Sequence, residues 1–153
     1  MLGLKQLSLV DQTSSLAPGY DRGVQRNADV LRRTFDAINR GNIDLALTDF
    51  ADDVLIDFSR TIGPYQGVYR GKAEGGRPFK DFLDTWDEIH FVAEAVRELE
   101  GDRIVLTVLV RVTGRDGLRV EARGGQVWRF RDSKVIEICV FQSRGHADAA
   151  LAS

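Results

Sequence analysis

Apolar residues recur at Val24, Ala28, Leu31, Phe35 and Ile38. Spacings of four and three put them on one stripe of a helix. Arg26, Asp29, Arg32, Arg33 and Asp36 occupy the opposite face. Gly41 then stops the helix, because glycine adopts the left-handed conformation at low cost. Asn42 is placed to cap a second helix, whose apolar side is Ile43, Ala46, Leu47 and Phe50. Asp52 and Asp53 interrupt, and residues 54–59 read as a strand. A loop over 60–71 carries Gly63, Pro64, Gly67 and Gly71. Phe79, Phe82, Leu83 and Trp86 make a third helical stripe. Pro78 cannot sit deep in that helix without losing a backbone bond, so the regular helix is expected from about Pro78, with 72–77 as a turn or kinked first segment.

From His90 the period changes to two. Strands are expected over 90–99, 103–113, 118–131 and 134–143, with turns at 100–102, 115–117 and 132–133, the second marked by Asp116-Gly117. A short helix over 146–151 closes the chain. Residues 1–23 read as a leader and 24–153 as one domain. Helices first and an antiparallel meander afterwards is the α+β order.

Each strand offers two faces. Ile104, Leu106, Val108, Val110 and Val112 form an apolar one, as do Ala122, Gly124, Gln126, Trp128 and Phe130, and Ile136, Ile138, Val140 and Gln142. Turning these faces together toward the helices leaves two amides, Gln126 and Gln142, among aliphatic and aromatic side chains. A buried amide without a partner costs on the order of 1–3 kcal/mol. Gln126 therefore bonds either a neighbouring protein group or something held in a cavity. The other face mixes Val105, Leu109, Val127, Cys139 and Phe141 with arginines and glutamates, which suits a second copy of the chain. A homodimer through Val105, Leu109, Val127 and Phe141 is the expectation.

The chain has 153 residues and a formal net charge of −2. That balance supplies no basic field for nucleic acid or an anionic membrane surface. No stretch reaches transmembrane length. The single cysteine, Cys139, excludes an intrachain disulfide and fits a reducing cytoplasm. His90 and His146 lie too far apart for a metal-ligand spacing. Neither a metal nor a cofactor is expected.

The order INRGNIDLA, DFADDV, VYRG, QVWRFRDSKVIEI and an alanine-rich tail resembles the SnoaL-like branch of the NTF2-like superfamily, from about Asn27 to Leu151. The resemblance implies a half-open cone: three N-terminal helices on a strongly curved, mixed but mainly antiparallel sheet around an apolar pocket. The same fold serves isomerases, cyclases, hydratases and proteins without catalysis. Ketosteroid isomerase uses a carboxylate base, a tyrosine and a protonated aspartate on this fold. By local match those positions fall on Phe58, Thr34 and Gln126, so that constellation is missing here.

The remaining candidates follow from the residues. Asp57 adjoins the lost base position and would need a one-residue bulge to turn inward. His90 is of a type that moves protons near neutral pH. Tyr65 and Tyr69 flank the glycine-rich loop at the expected pocket mouth, where phenols suit a ligand oxygen. The expected walls are Phe58, Trp86, Val110, Gln126, Trp128, Val140 and Gln142. Two functions stay open: acid–base transformation of a small apolar molecule, or binding and scaffolding without chemistry.

Overall fold

The computed structural model describes residues 18–152. Most of the expected leader, residues 1–17, lies outside them. The first helix, α1 (Pro18–Asn39), starts at Pro18 rather than Val24, with a proline preorganised at the first helical position. Its buried stripe is Ala28, Leu31, Phe35 and Ile38, widened by Val30, Thr34 and Ala37. Gly41 takes φ 75°, and Asn42 Oδ1 accepts from Leu45 N at 3.0 Å, capping α2 (Ile43–Ala46). A short 3-10 turn (Leu47–Asp49) leads into β1 (Phe50–Arg60). That strand begins at Phe50, so Asp52 and Asp53 lie within it, both exposed, at a register irregularity against β6.

β2 (Val68–Arg70) is followed by α3 (Gly71–Thr85). Here the sequence expectation is corrected: the helix runs unbroken through Pro78 from Gly71. Gly75 and Gly76 explain why. A Cβ on Gly75 would stand 2.8 Å from Ile56 Cδ1, and one on Gly76 2.9 Å from Leu47 Cδ1. The first half of α3 is thus pressed onto β1 and the α2 turn, and that packing outweighs the local cost of proline. β3 (Glu88–Leu99), β4 (Arg103–Thr113), β5 (Arg119–Arg131), β6 (Lys134–Phe141) and α4 (Arg144–Ala152) complete the chain.

The strand order is β2-β1-β6-β5-β4-β3. β1 runs parallel to β6, and every other pairing is antiparallel. The sheet is curved and does not close, and α1, α2 and α3 pack on its concave face, giving the α+β cone. The curvature has local causes, since bulges bend strands and increase their twist. The β3–β4 register slips between Glu94 and Arg97, where Ala95 takes φ 48°. The β5–β6 register slips between Arg129 and Phe130. The second slip corrects the reading of β6: Val135, opposite Phe130, joins the main core with Ile138, whereas strict alternation had put Ile136 there.

On the convex face, Val105, Leu109, Val127 and Phe141, expected between two copies, are all buried within the single chain. Val105, Val127 and Phe141 form a cluster with Ala147, flanked by Leu99, Cys139, Ala150 and Leu151. The chain's own α4 therefore covers this patch. Arg144 pins the helix: Nη1 donates to the Ala95 carbonyl at 2.7 Å and Nε to Asp148 Oδ1 at 3.1 Å. The bulge at Ala95 is what frees that carbonyl from the ladder. Sequence reasoning found the tail helix but not its purpose. Among the described residues, no helix is long and apolar enough to cross a membrane.

Candidate functional site

Between α3 and the concave face lies a cavity of about 190 Å³. Helix α3 contributes Pro78, Phe79 and Phe82, and the sheet contributes Phe58, Phe91, Val108, Val110 and Val140. The floor is the bare backbone of Gly124 and Gly125, next to Gln126, and Tyr65 closes one side from the loop before β2. The glycines are required there. A Cβ on Gly125 would meet Ser143 O at 2.5 Å, and one on Gly124 would meet Phe141 O at 3.0 Å. The rings interlock edge to face or tilted: Phe58 with Phe79 at 5.9 Å, Phe82 with Phe91 at 6.0 Å, Tyr65 with Phe82 at 6.5 Å between centroids.

Gln126 is the one amide among the described residues of this wall. It lies on β5 between Leu106 of β4 and Val140 of β6 and is 9% exposed. Its Oε1 accepts from the indole N–H of Trp128 at 2.8 Å. The question left by the sequence is thus half answered: the oxygen is satisfied by a protein side chain two residues along the same face. The amide nitrogen has no partner among the described residues. A second, much smaller cavity of about 20 Å³ lies deeper, sharing Phe79, Phe91 and Gln126 and adding Thr34 and Trp128. Thr34 spends its hydroxyl proton on the Val30 carbonyl at 2.8 Å.

Phe58, Tyr65, Val110, Gln126 and Val140 converge on the main cavity, and four other expected residues do not. Trp128 is 2% exposed and lines only the smaller cavity, because its ring turns toward Phe35, Phe50 and Phe130. Trp86 follows α3, packs tilted against Phe82 and lies 3.6 Å from the Cβ position of Gly114, covering the β4–β5 turn instead. Gln142 follows the end of β6, so alternation no longer governs it. It is exposed and accepts from Ile62 N at 2.9 Å, bracing the loop. Tyr69 packs edge-on against Phe58 at 5.9 Å, and its hydroxyl donates to the Tyr65 carbonyl at 2.9 Å.

Neither candidate acid or base reaches the cavity lining. Asp57 pairs with Cys139 across β1–β6, in the run Leu55–Asp57 that is bounded by register slips on both sides, between Phe50 and Leu55 and between Asp57 and Arg60. Neither slip brings it into the cavity lining. Its carboxylate accepts from Ser59 N at 2.8 Å and Ser59 Oγ at 2.6 Å. His90 lies opposite Arg111 and is exposed, in a wide concavity with Asp87, Glu88 and Glu121. No carboxylate, histidine, lysine or arginine lines the main cavity among the described residues.

Sequence reasoning missed Phe79, Phe82, Phe91 and Val108 as walls. The signal was present. Phe79 and Phe82 are the α3 stripe that must face the sheet, and Val108 shares the face of Val110. On the far side of the sheet, Cys139 is half-buried. Burial foremost, then the charges of Glu137 and Asp57, raises its thiol pKa from 9.0 to about 11.

The sequence profile of the SnoaL-like domain family matches residues 31–138. No curated protein matches the chain by sequence. Among solved structures, TerC co-crystallised with polyporic acid superposes with a TM-score of 0.67 at 18% identity, covering 84% of this chain and 99% of TerC. A Mycobacterium tuberculosis protein in complex with estradiol-17beta-hemisuccinate gives 0.65 at 16% identity, over 76% of this chain and 92% of its own. The Delta 5-3-ketosteroid isomerase of a Mycobacterium species gives 0.63 at 17% identity, over 76% and 92%. At these identities the likeness is one of fold.

Proposed function

This chain belongs to the SnoaL-like domain family, and from that premise we propose that it binds a small, largely apolar, uncharged molecule in the cavity under α3. The supporting observation is the lining among the described residues: aromatic and aliphatic walls, one amide, one phenol at the side and no ionised group. An apolar cavity of about 150 Å³ takes up benzene, so about 190 Å³ suits a ligand of one or two small rings. A ligand burying about 150 Å² of apolar surface gains roughly 4 kcal/mol from desolvation before the costs of association. Two structural neighbours are in complex with small organic molecules.

Proton transfer at this wall has no support. A general acid or base must come within about 3.2 Å of the reacting group, directly or through one water. Asp57 and His90 are directed elsewhere, and neither lines the cavity. In this reading Phe58, Tyr65, Val110, Gln126 and Val140 contact the ligand, and the protein acts by binding.

Titration calorimetry with indane, an apolar bicycle of suitable size, is the direct test. Saturable one-to-one binding is expected. Abolition by Val110→Phe, which projects a ring into the cavity, would locate it there. Absence of binding to the folded protein would overturn the proposal.

A further inference from the structure

We propose that Trp128 sets the hydrogen-bonding polarity of the cavity, so that the site favours uncharged ring compounds carrying an acceptor oxygen over those carrying only a donor. This rests on the reading of the cavity as a small-molecule site and adds which polar group that molecule carries.

An indole N–H only donates, whereas a primary amide has an accepting end and a donating end. The bond from Trp128 Nε1 to Gln126 Oε1, 2.8 Å and buried, therefore fixes which way the amide faces. The oxygen is turned to the indole, and the two amide protons project from the opposite side of the same carbon. Trp128 cannot turn away to release it. Its ring is held by Phe35, Phe50 and Phe130 at centroid distances of 6.1, 6.0 and 6.1 Å.

Gln126 itself is more than nine-tenths buried and borders both cavities. With no described residue accepting from Nε2, its protons are an unpaired polar group of the wall. A ligand carbonyl or ether oxygen can accept from them. Among the described residues, the wall offers a ligand donor only the Tyr65 phenol at the side and the second lone pair of Gln126 Oε1. The Tyr65 carbonyl already accepts from the Tyr69 hydroxyl, and the other lining side chains are apolar. A ligand N–H set against the amide protons would face two more donors. A charged ligand would lose its hydration against neutral walls.

Three bicycles of nearly equal shape separate these statements: 1-indanone, an acceptor; indole, a donor; and indane, neither. Calorimetry on the full chain should rank them in the order indanone, indane, indole. Indanone should be about fivefold tighter than indane, as one net hydrogen bond provides. Trp128→Phe removes the N–H and lets the amide present either end. The indanone-to-indole ratio should then fall to within about twofold. A role of Trp128 confined to packing would weaken all three ligands together and leave that ratio unchanged, which would overturn the proposal. Indole binding the wild type as tightly as indanone would also overturn it. Equal binding of all three would overturn this inference while the small-molecule reading stands, and binding of none would end both. Circular dichroism and a cooperative melt establish that the variant folds. If it does not, the wild-type ranking decides alone.

Discussion

Strand β5 contributes alternate residues to two surfaces with opposite characters. Inward go Gly124, Gln126, Trp128 and Phe130, into a wall whose described polar side chains are one amide and the Tyr65 phenol. Outward go Arg123, Val127 and Arg129, beside glutamates and beneath a helix. Arg123 pairs with Glu94 at 3.1 Å, Arg111 with Glu121 at 3.0 Å and Arg129 with Glu137 at 3.1 Å. Such exposed pairs contribute about 0–1 kcal/mol each. They set the solubility of the face more than its stability. The apolar remainder of the outer face is sealed by α4, while the inner face is left incompletely filled under α3. The contrast separates the two uses of apolar surface here: one patch is closed by the chain itself, and the other keeps a void with one unspent donor pair.

That division can be attacked from both sides. Ala147 is fully buried where α4 meets the outer face, so Ala147→Asp places a carboxylate against Val105, Val127 and Phe141. A loss of about 3 kcal/mol is expected, as for an unpaired buried charge. The uncovered patch should also self-associate in light scattering, while the folded fraction keeps its affinity for indane.

Gln126→Leu should act on both stability and binding. It leaves the Trp128 N–H buried without an acceptor, costing about 1–3 kcal/mol in denaturant melts. It should also weaken 1-indanone about fivefold while sparing indane. Equal stability to wild type would show that the indole has found another partner.

Val110→Phe fills space that is already empty, so its stability cost should stay under about 1.5 kcal/mol. Indane binding should nevertheless fall below detection in calorimetry, which would sharpen the distinction between a void that is spare and one that is used.

On the outer face, Cys139 gives a pH signature. Below the ordinary thiol pKa of 9.0 both folded and unfolded thiols are protonated, and the contribution is intact. Above it the unfolded thiol ionises while the folded one holds its proton to about 11. Stability should therefore fall across that window, and Cys139→Ser should flatten the slope in melts at pH 8 to 11. Smallest of all is Asp57→Asn. The residue lies away from the cavity lining, so ligand affinity should be unchanged and stability altered by less than about 0.5 kcal/mol. A large loss of binding would return Asp57 to the site.

Much of the fold was legible in the chain because its signals are local. The 3.6-residue stripe of α1, the Gly41 stop with its Asn42 cap, the period-two faces of β4 and β5 and the turns at 100–102 and 132–133 depend on near neighbours. The inward face of β5 placed Gln126 in the wall for the same reason. What the sequence alone did not determine depends on register and on distant packing. Bulges at Ala95 and between Arg129 and Phe130 interrupt alternation, and one such slip carries Val135 into the core. Pro78 stays inside α3 because Gly75 and Gly76 dock against side chains from other elements. Whether Asp57 turned inward depended on where a bulge fell relative to it in the β1–β6 pairing. Whether the outer apolar patch needed a second copy depended on where α4 came to rest. The partner of the Gln126 oxygen depended on the rotamer that the aromatic core imposes on Trp128. Periodicity states which side of a strand a residue occupies. Only the assembled packing decides what stands opposite it, because that is set by groups far away in the chain.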